Sequence, residues 1–350
     1  MLARVPEAMA SLELARTVYG ELDTPLAAAA ALHNLGWAAG RRGDIPQALE
    51  YFDEAEEELR AVGGGLGELW RDRADLLSSA GMTIDAIDLA KRAVDELERE
   101  GHRAAQAEAL VRLAETALGH GDLATAESSA IGASSLFRAQ RRSGWVAHAE
   151  LVALRSTFAG GSAGRKELKS ARSLARRLHQ VMMLDSAVVA EILAARIATR
   201  LGDTDLAARI LGDLDSDSGR LDLRVGARLA QAELDLRQGA SRKSLHQISL
   251  GLAEVDRYRA AVGSSEVRAH LSSHVTELGR LGMRLVSKGS GRRILLWLER
   301  TRAGALRFPP ARPPEDGVMS SDLARLRAVE SQLRDGDEET ARALRRHRSQ

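Results

Sequence analysis

The sequence predicts an all-α solenoid of about six helix pairs, and three observations carry that expectation. A Gly, usually followed by Asp, with Ala five residues after the Gly, recurs as Gly43-Asp44…Ala48, Gly81-Met82…Ala86, Gly121-Asp122…Ala126 and Gly202-Asp203…Ala207. Self-similarity with a period of about 40 residues marks an array in which each unit buries its face against the next. The seven prolines fall at 6, 25, 46, 309, 310, 313 and 314, so residues 47 to 308 contain none. Proline inside a helix costs about 3 kcal/mol, and a proline-free stretch rich in Ala, Leu, Arg and Glu therefore reads as nearly all helix. Aromatic residues make up only 3%, so the helices must approach closely through Ala and Gly, with Leu filling the gaps.

Composition narrows the functional classes. The 350 residues carry 50 basic and 49 acidic side chains, a formal charge of +1. That balance gives no global attraction to nucleic acid or anionic membrane. Cysteine is absent, which removes disulfides, thiolate metal sites and a cysteine nucleophile. The N-terminal Met1-Leu2-Ala3-Arg4-Val5-Pro6-Glu7 lacks a signal-peptide pattern. No apolar run approaches the roughly 20 residues that span a bilayer. The expectation is a soluble, cytoplasmic chain with neither nucleic acid nor membrane as partner.

The clearest unit runs from about Leu26 to Val62. Leu32, Leu35, Gly36 and Ala39 form an i, i+3, i+4, i+7 stripe on its first helix. Gly43 ends that helix, Asp44 can cap the next, and Pro46 lies in the next helix's first turn. The second helix places Ala48, Phe52, Ala55 and Leu59 on one face. A second unit offers Trp70, Ala74, Leu77, Gly81, Ala86, Ala90 and Ala93. A third offers Leu110, Leu113-Ala114, Ala117, Gly121-Asp122, Ala126, Ala130 and Ala133. A fifth offers Ala194-Ala195, Ala198, Gly202-Asp203, Ala207, Leu211 and Leu214. The fourth, about 145–180, has a Gly160-Gly161-Ser162-Ala163-Gly164 turn and fits poorly; the sixth, about 222–258, keeps Ala232 and Gly239.

These units resemble the tetratricopeptide repeat, although Ala39 stands where that family usually has Tyr. The resemblance implies a right-handed superhelix over residues 8–262 whose first helices line a concave groove. Beyond it the sequence reads as a helical cap over 263–308, a proline-rich linker over 309–318 and a charged helix over 319–350, with Leu323, Leu326, Val329 and Leu333 on one stripe. Leu295 to Pro314, followed by that helix, is similar to the N-terminal helical region of actinobacterial CHAT-domain proteins. There, such repeats precede a caspase-like domain with a His/Cys dyad. The resemblance implies the sensor half of such a peptidase system, with a caspase-like effector domain as one partner.

Candidate chemistry is sparse. His270 and His274 stand one helical turn apart, but Leu271 replaces the Glu of a metalloprotease helix and no third ligand is evident beyond Glu266 or Glu277. Gly160 to Lys166 lacks P-loop spacing and a preceding strand. The acidic run Asp53 to Glu58 reads as a solvated helix face. Arg342, Arg345, Arg346 and Arg348 have no interleaved aromatic, and Glu338-Glu339 lie just upstream. No catalytic residue, cofactor or metal is expected.

What remains is a binding surface. The phase of the matched units places His33, Trp37, Arg41, Arg71, Asp75, Glu115, Arg196, Arg200, Glu233 and Arg237 on the implied groove wall. Trp37 beside Arg41 is the expected anchor, its competing role being core packing between units. Asn34 is the only asparagine in the chain, so a two-asparagine clamp on a peptide C-terminus is impossible. The sequence thus points to a non-catalytic scaffold holding a protein or peptide partner in its groove. The alternative is a ligand-sensing regulator of transcription or signalling.

Overall fold

The computed structural model describes residues 5–214, 220–261, 272–287 and 289–302. The described residues belong to one compact unit, Met1–Ala305. The proline-rich linker and the charged helix, with the Leu323–Leu333 stripe and terminal arginines, lie outside the described residues.

The described residues form fifteen helices and no strand. They are α1 (Val5–Glu21), α2 (Pro25–Arg42), α3 (Ile45–Ala61), α4 (Gly67–Ser79), α5 (Thr83–Arg99), α6 (Arg103–His120) and α7 (Leu123–Ala139). There follow α8 (Ser143–Ala159), α9 (Arg165–Gln180), α10 (Leu184–Leu201), α11 (Thr204–Asp213), α12 (Leu221–Arg237) and α13 (Ser241–Ala261), then α14 (Ser272–Val286) and α15 (Gly291–Arg302). From α2 to α13 they pack as six consecutive pairs, each helix against its sequence neighbour.

The turn glycines set this geometry. Gly43, Gly81, Gly121 and Gly202 all have left-handed backbone, with φ of 89, 83, 92 and 87°. A residue without Cβ reaches this region freely and closes the first helix there. Gly161 (φ 83°) and Gly239 (φ 79°) do the same in the fourth and sixth pairs. Both pairs are therefore regular in structure despite their poor fit to the repeat. Asp44, Asp122 and Asp203 accept hydrogen bonds from the backbone N–H of Gln47, Thr125 and Leu206 at 3.4, 3.1 and 3.1 Å. Met82, in the equivalent place, makes no such cap.

Small residues let the helices approach. Ala29, Ala39, Ala48 and Ala55 are fully buried around Phe52 in the first pair, and Ala114, Ala117, Ala126, Ala130 and Ala133 line the third. At Gly36 a Cβ would stand 2.8 Å from the Phe52 ring, so only glycine admits that ring. The N-terminal helix α1, which the repeat motif did not mark, covers the open end of the first pair through Met9. Arg16 reaches Glu58 at 3.1 Å from the same helix. At the other end α14 and α15 share one core with α12 and α13, built on Leu229, Ile248, Leu252, Leu278, Leu281 and Trp297. Both ends of a stacked array expose apolar surface, and these helices bury it. Among the described residues no helix is long and apolar enough to cross a membrane.

Candidate partner groove along the first helices

Neighbouring first helices touch one another along the array: α2 with α4, α4 with α6, α6 with α8, α8 with α10 and α10 with α12. Neighbouring second helices make no comparable contact. The first helices thus crowd together along one wall. The residue six positions before each turn glycine recurs on it: Trp37, Asp75, Glu115, Arg155, Arg196 and Glu233.

Most polar groups on this wall are joined between units. His33 Nε2 lies 3.1 Å from Asp72 Oδ2, linking α2 to α4, and the Arg71 guanidinium meets the other Asp72 oxygen at 2.9 Å. Burial alone would push the Asp72 carboxyl up, but the His33 hydrogen bond and the Arg71 charge hold it below its ordinary value. Ser78 and Thr116 hydroxyls meet at 3.3 Å between α4 and α6, where Arg112 also comes within 3.7 Å of Asp75. Glu115 Oε1 lies 3.0 Å from His148 Nε2, whose Nδ1 is 3.0 Å from the Ser186 hydroxyl. That single imidazole ties α6, α8 and α10 together. Burial opposes the Glu115 charge, yet the His148 contact and Arg112 keep its pKa lowered.

At the C-terminal end Arg196 donates two parallel hydrogen bonds to Glu233, both 2.9 Å, and a third to Glu277 at 3.1 Å. Its guanidinium also covers the Phe158 ring at 5.0 Å. Arg200 donates to the Phe158 carbonyl at 2.8 Å and stacks on that ring at 3.5 Å. Arg196 and Glu233 are therefore committed to each other, while Arg41 and Arg237 remain exposed.

Two positions stand out as available. Trp37 is 53% exposed, with the Arg41 guanidinium 5.7 Å from its ring centre. A ring this exposed is not part of the buried core between units. Arg155 is exposed and makes no ion pair or hydrogen bond among the described residues. Although the residue reaches solvent, desolvation by the surrounding wall and then the nearby Arg196 charge lower its pKa against the pull of Glu115 and Glu277. Sequence reasoning missed Arg155 because the fourth unit carries three glycines in its turn, which obscured the phase; counting six residues back from Gly161 would have found it. Asp72 and His148 were missed because they pair across units, at a sequence separation no local pattern encodes. His270 lies outside the described residues, as does the His274 side chain.

Asp75 differs in sign from Asp72 and Glu115, whose carboxyls are held below their ordinary values. Desolvation raises its pKa from 3.8 to about 6, Arg112 opposes this, and the Asp72 charge adds to it. A carboxyl raised in the folded state is costly when ionised, so its contribution runs against stability above pH 6 and is relieved as pH falls toward 4. Glu115 has the opposite sign, its stabilisation being present above 4.5 and lost below. Asp75→Asn is expected to raise stability at pH 7 by about 1 kcal/mol, a two-unit shift discounted for a side chain 44% exposed. It should also remove the gain that the parent chain shows between pH 7 and 5. Thermal unfolding of both proteins across that range measures this, and parallel curves would show that Asp75 is solvated.

No family model matches the sequence, and no curated protein matches it. Among solved structures, a circular tandem repeat protein with novel repeat topology and enhanced subunit contact surfaces aligns over 98% of this chain and 89% of its own. The identity is 16% and the TM-score 0.22. That score carries nothing about a site or partner.

Proposed function

We propose that the chain is a non-catalytic, cytoplasmic interaction scaffold whose first-helix wall captures a peptide or helix from a partner protein. The observation that carries the reading is Trp37. A large aromatic that stays half-exposed stands on the wall with the Arg41 cation beside it. Aromatic and Arg side chains supply most binding energy at protein interfaces. The inter-unit hydrogen bonds of His33, Asp72, Glu115 and His148 support a wall formed before binding, which lowers the ordering cost of association. An apolar partner side chain would cover Trp37, and carboxylates would meet Arg41 and Arg155.

The immobilised chain should select peptides from a random display library, and the Trp37→Ala/Arg41→Glu double variant should not select the same ones. Helicity and melting temperature should stay unchanged, since both side chains are exposed. Recovery of the same peptides by the variant would overturn the groove reading. Turnover of a peptidase or nucleotidase substrate by the purified chain would overturn its non-catalytic part. Regulation of a CHAT-type, caspase-like peptidase rests on the sequence resemblance alone. A downstream frame with a His…Cys caspase-like domain tests it, and a DNA-binding helix pair there would favour the ligand-sensing regulator instead.

A further inference from the structure

The fourth pair carries a second surface with a different character. Along α9, Arg165, Lys169, Arg172 and Arg176 follow one another at helical spacing, with Lys166 beside them, and all five are exposed. The stripe is roughly 16 Å long at 1.5 Å per residue. None of the five makes an ion pair or hydrogen bond among the described residues.

Cations on three of the other second helices are paired, as is Arg177 of α9 itself, which reaches Glu150 at 2.6 Å. In α3 Arg60 pairs with Glu56 at 2.5 Å, in α5 Arg99 pairs with Glu96, and in α7 Arg138 reaches Glu150 at 3.0 Å. Helix α9 also breaks the local rules of helix design. Arg165 and Lys166 sit at its N-terminal end, where the backbone dipole disfavours cations. Arg165/Lys169 and Arg172/Arg176 are like-charge pairs one turn apart, each destabilising by a few tenths of a kcal/mol. A sequence bears such costs where function requires them. The fourth unit, which fits the repeat poorly, thus carries six Lys and Arg residues on one helix.

The cations border a cleft of about 530 Å³ lined by Arg165, Leu168, Lys169, Arg172, Arg176, Leu201 and Asp203. Leu168 and Leu201 give it an apolar floor, and Leu201 is 41% exposed. Asp203 also lines it, one carboxylate oxygen accepting the Leu206 N–H. The lining holds no aromatic ring on which a base could stack, and a carboxylate beside the cations opposes a phosphate backbone. An acidic peptide with an apolar side chain between its carboxylates satisfies every part of the cleft, with a peptide N–H for Asp203.

We propose that the α9 cleft is a separate binding site for an acidic, leucine-bearing segment of a partner protein. Fluorescence anisotropy with the full chain tests it, using a labelled glutamate-rich peptide with a central leucine, the same peptide with glutamine for glutamate, and a DNA duplex. The acidic peptide should bind with strong salt dependence and the glutamine peptide should not. Arg172→Glu/Arg176→Glu should weaken binding by roughly tenfold or more, and Arg172→Gln/Arg176→Gln by less. Leu201→Gln should weaken it severalfold, and Trp37→Ala should leave it unchanged, which separates this site from the groove. Equal binding by the parent and both charge variants would overturn the proposal. So would binding of the duplex in preference to the peptide, which assigns the stripe to nucleic acid.

Discussion

Replacing Phe137 with alanine is expected to cost about 3–5 kcal/mol, the range for deleting a large aromatic from a packed core. The side chain is completely buried, at the junction of the third and fourth pairs, among Ala107, Val111, Ala133, Val146 and Ala149. Trp145 lies 5.5 Å away and the Arg142 guanidinium covers the ring at 4.9 Å. Three of these neighbours are alanines, which cannot rotate to fill the space. Stability in a solenoid is a sum of unit terms and nearest-neighbour interfaces, so weakening a central interface should separate the array into halves. In urea the loss of helicity should occur in two steps in the variant and in a single step in the parent chain. A variant within about 1 kcal/mol of the parent would show that the neighbours do collapse onto the site.

The same junction shows what the sequence could and could not convey. Glycine followed by aspartate is legible because both act within a few residues, the first through its left-handed φ and the second through its cap on the following turn. The fourth unit was harder because Gly160, Gly161 and Gly164 offer three candidates and only the backbone shows that Gly161 holds φ 83°. Alanine stripes gave the buried faces correctly, since burial follows the helical period. Groove residues were legible only as positions. That Arg196 and Glu233 pair depends on the distance between α10 and α12, which is set by side chains from both helices. Helix α1 carries no turn signature and packs through Met9 with Val5 and Leu12, so its capping role needed the structure.

Arg196→Ala is expected to act on folding and not on partner capture. The guanidinium bridges Glu233 on α12 and Glu277 on α14 from its place on α10, so removing it strips both carboxylates of the cation that bonds them. Burial disfavours the Arg196 charge, but those carboxylates outweigh it and raise its pKa. With Arg196 and Glu233 side chains only 17% and 20% exposed, the loss should be about 2–4 kcal/mol, near that of breaking a buried pair. Lysine should recover only part, because a single ammonium cannot make the two parallel bonds to Glu233. In a double-mutant cycle Arg196→Ala and Glu233→Gln should be non-additive, whereas Trp37→Ala with Arg41→Glu should change stability by no more than about 0.5 kcal/mol. The opposite pattern, with full stability and lost peptide capture in Arg196→Ala, would make Arg196 a binding residue. The C-terminal end of the wall would then open on binding, since Arg196 can meet a partner carboxylate only by releasing Glu233 or Glu277.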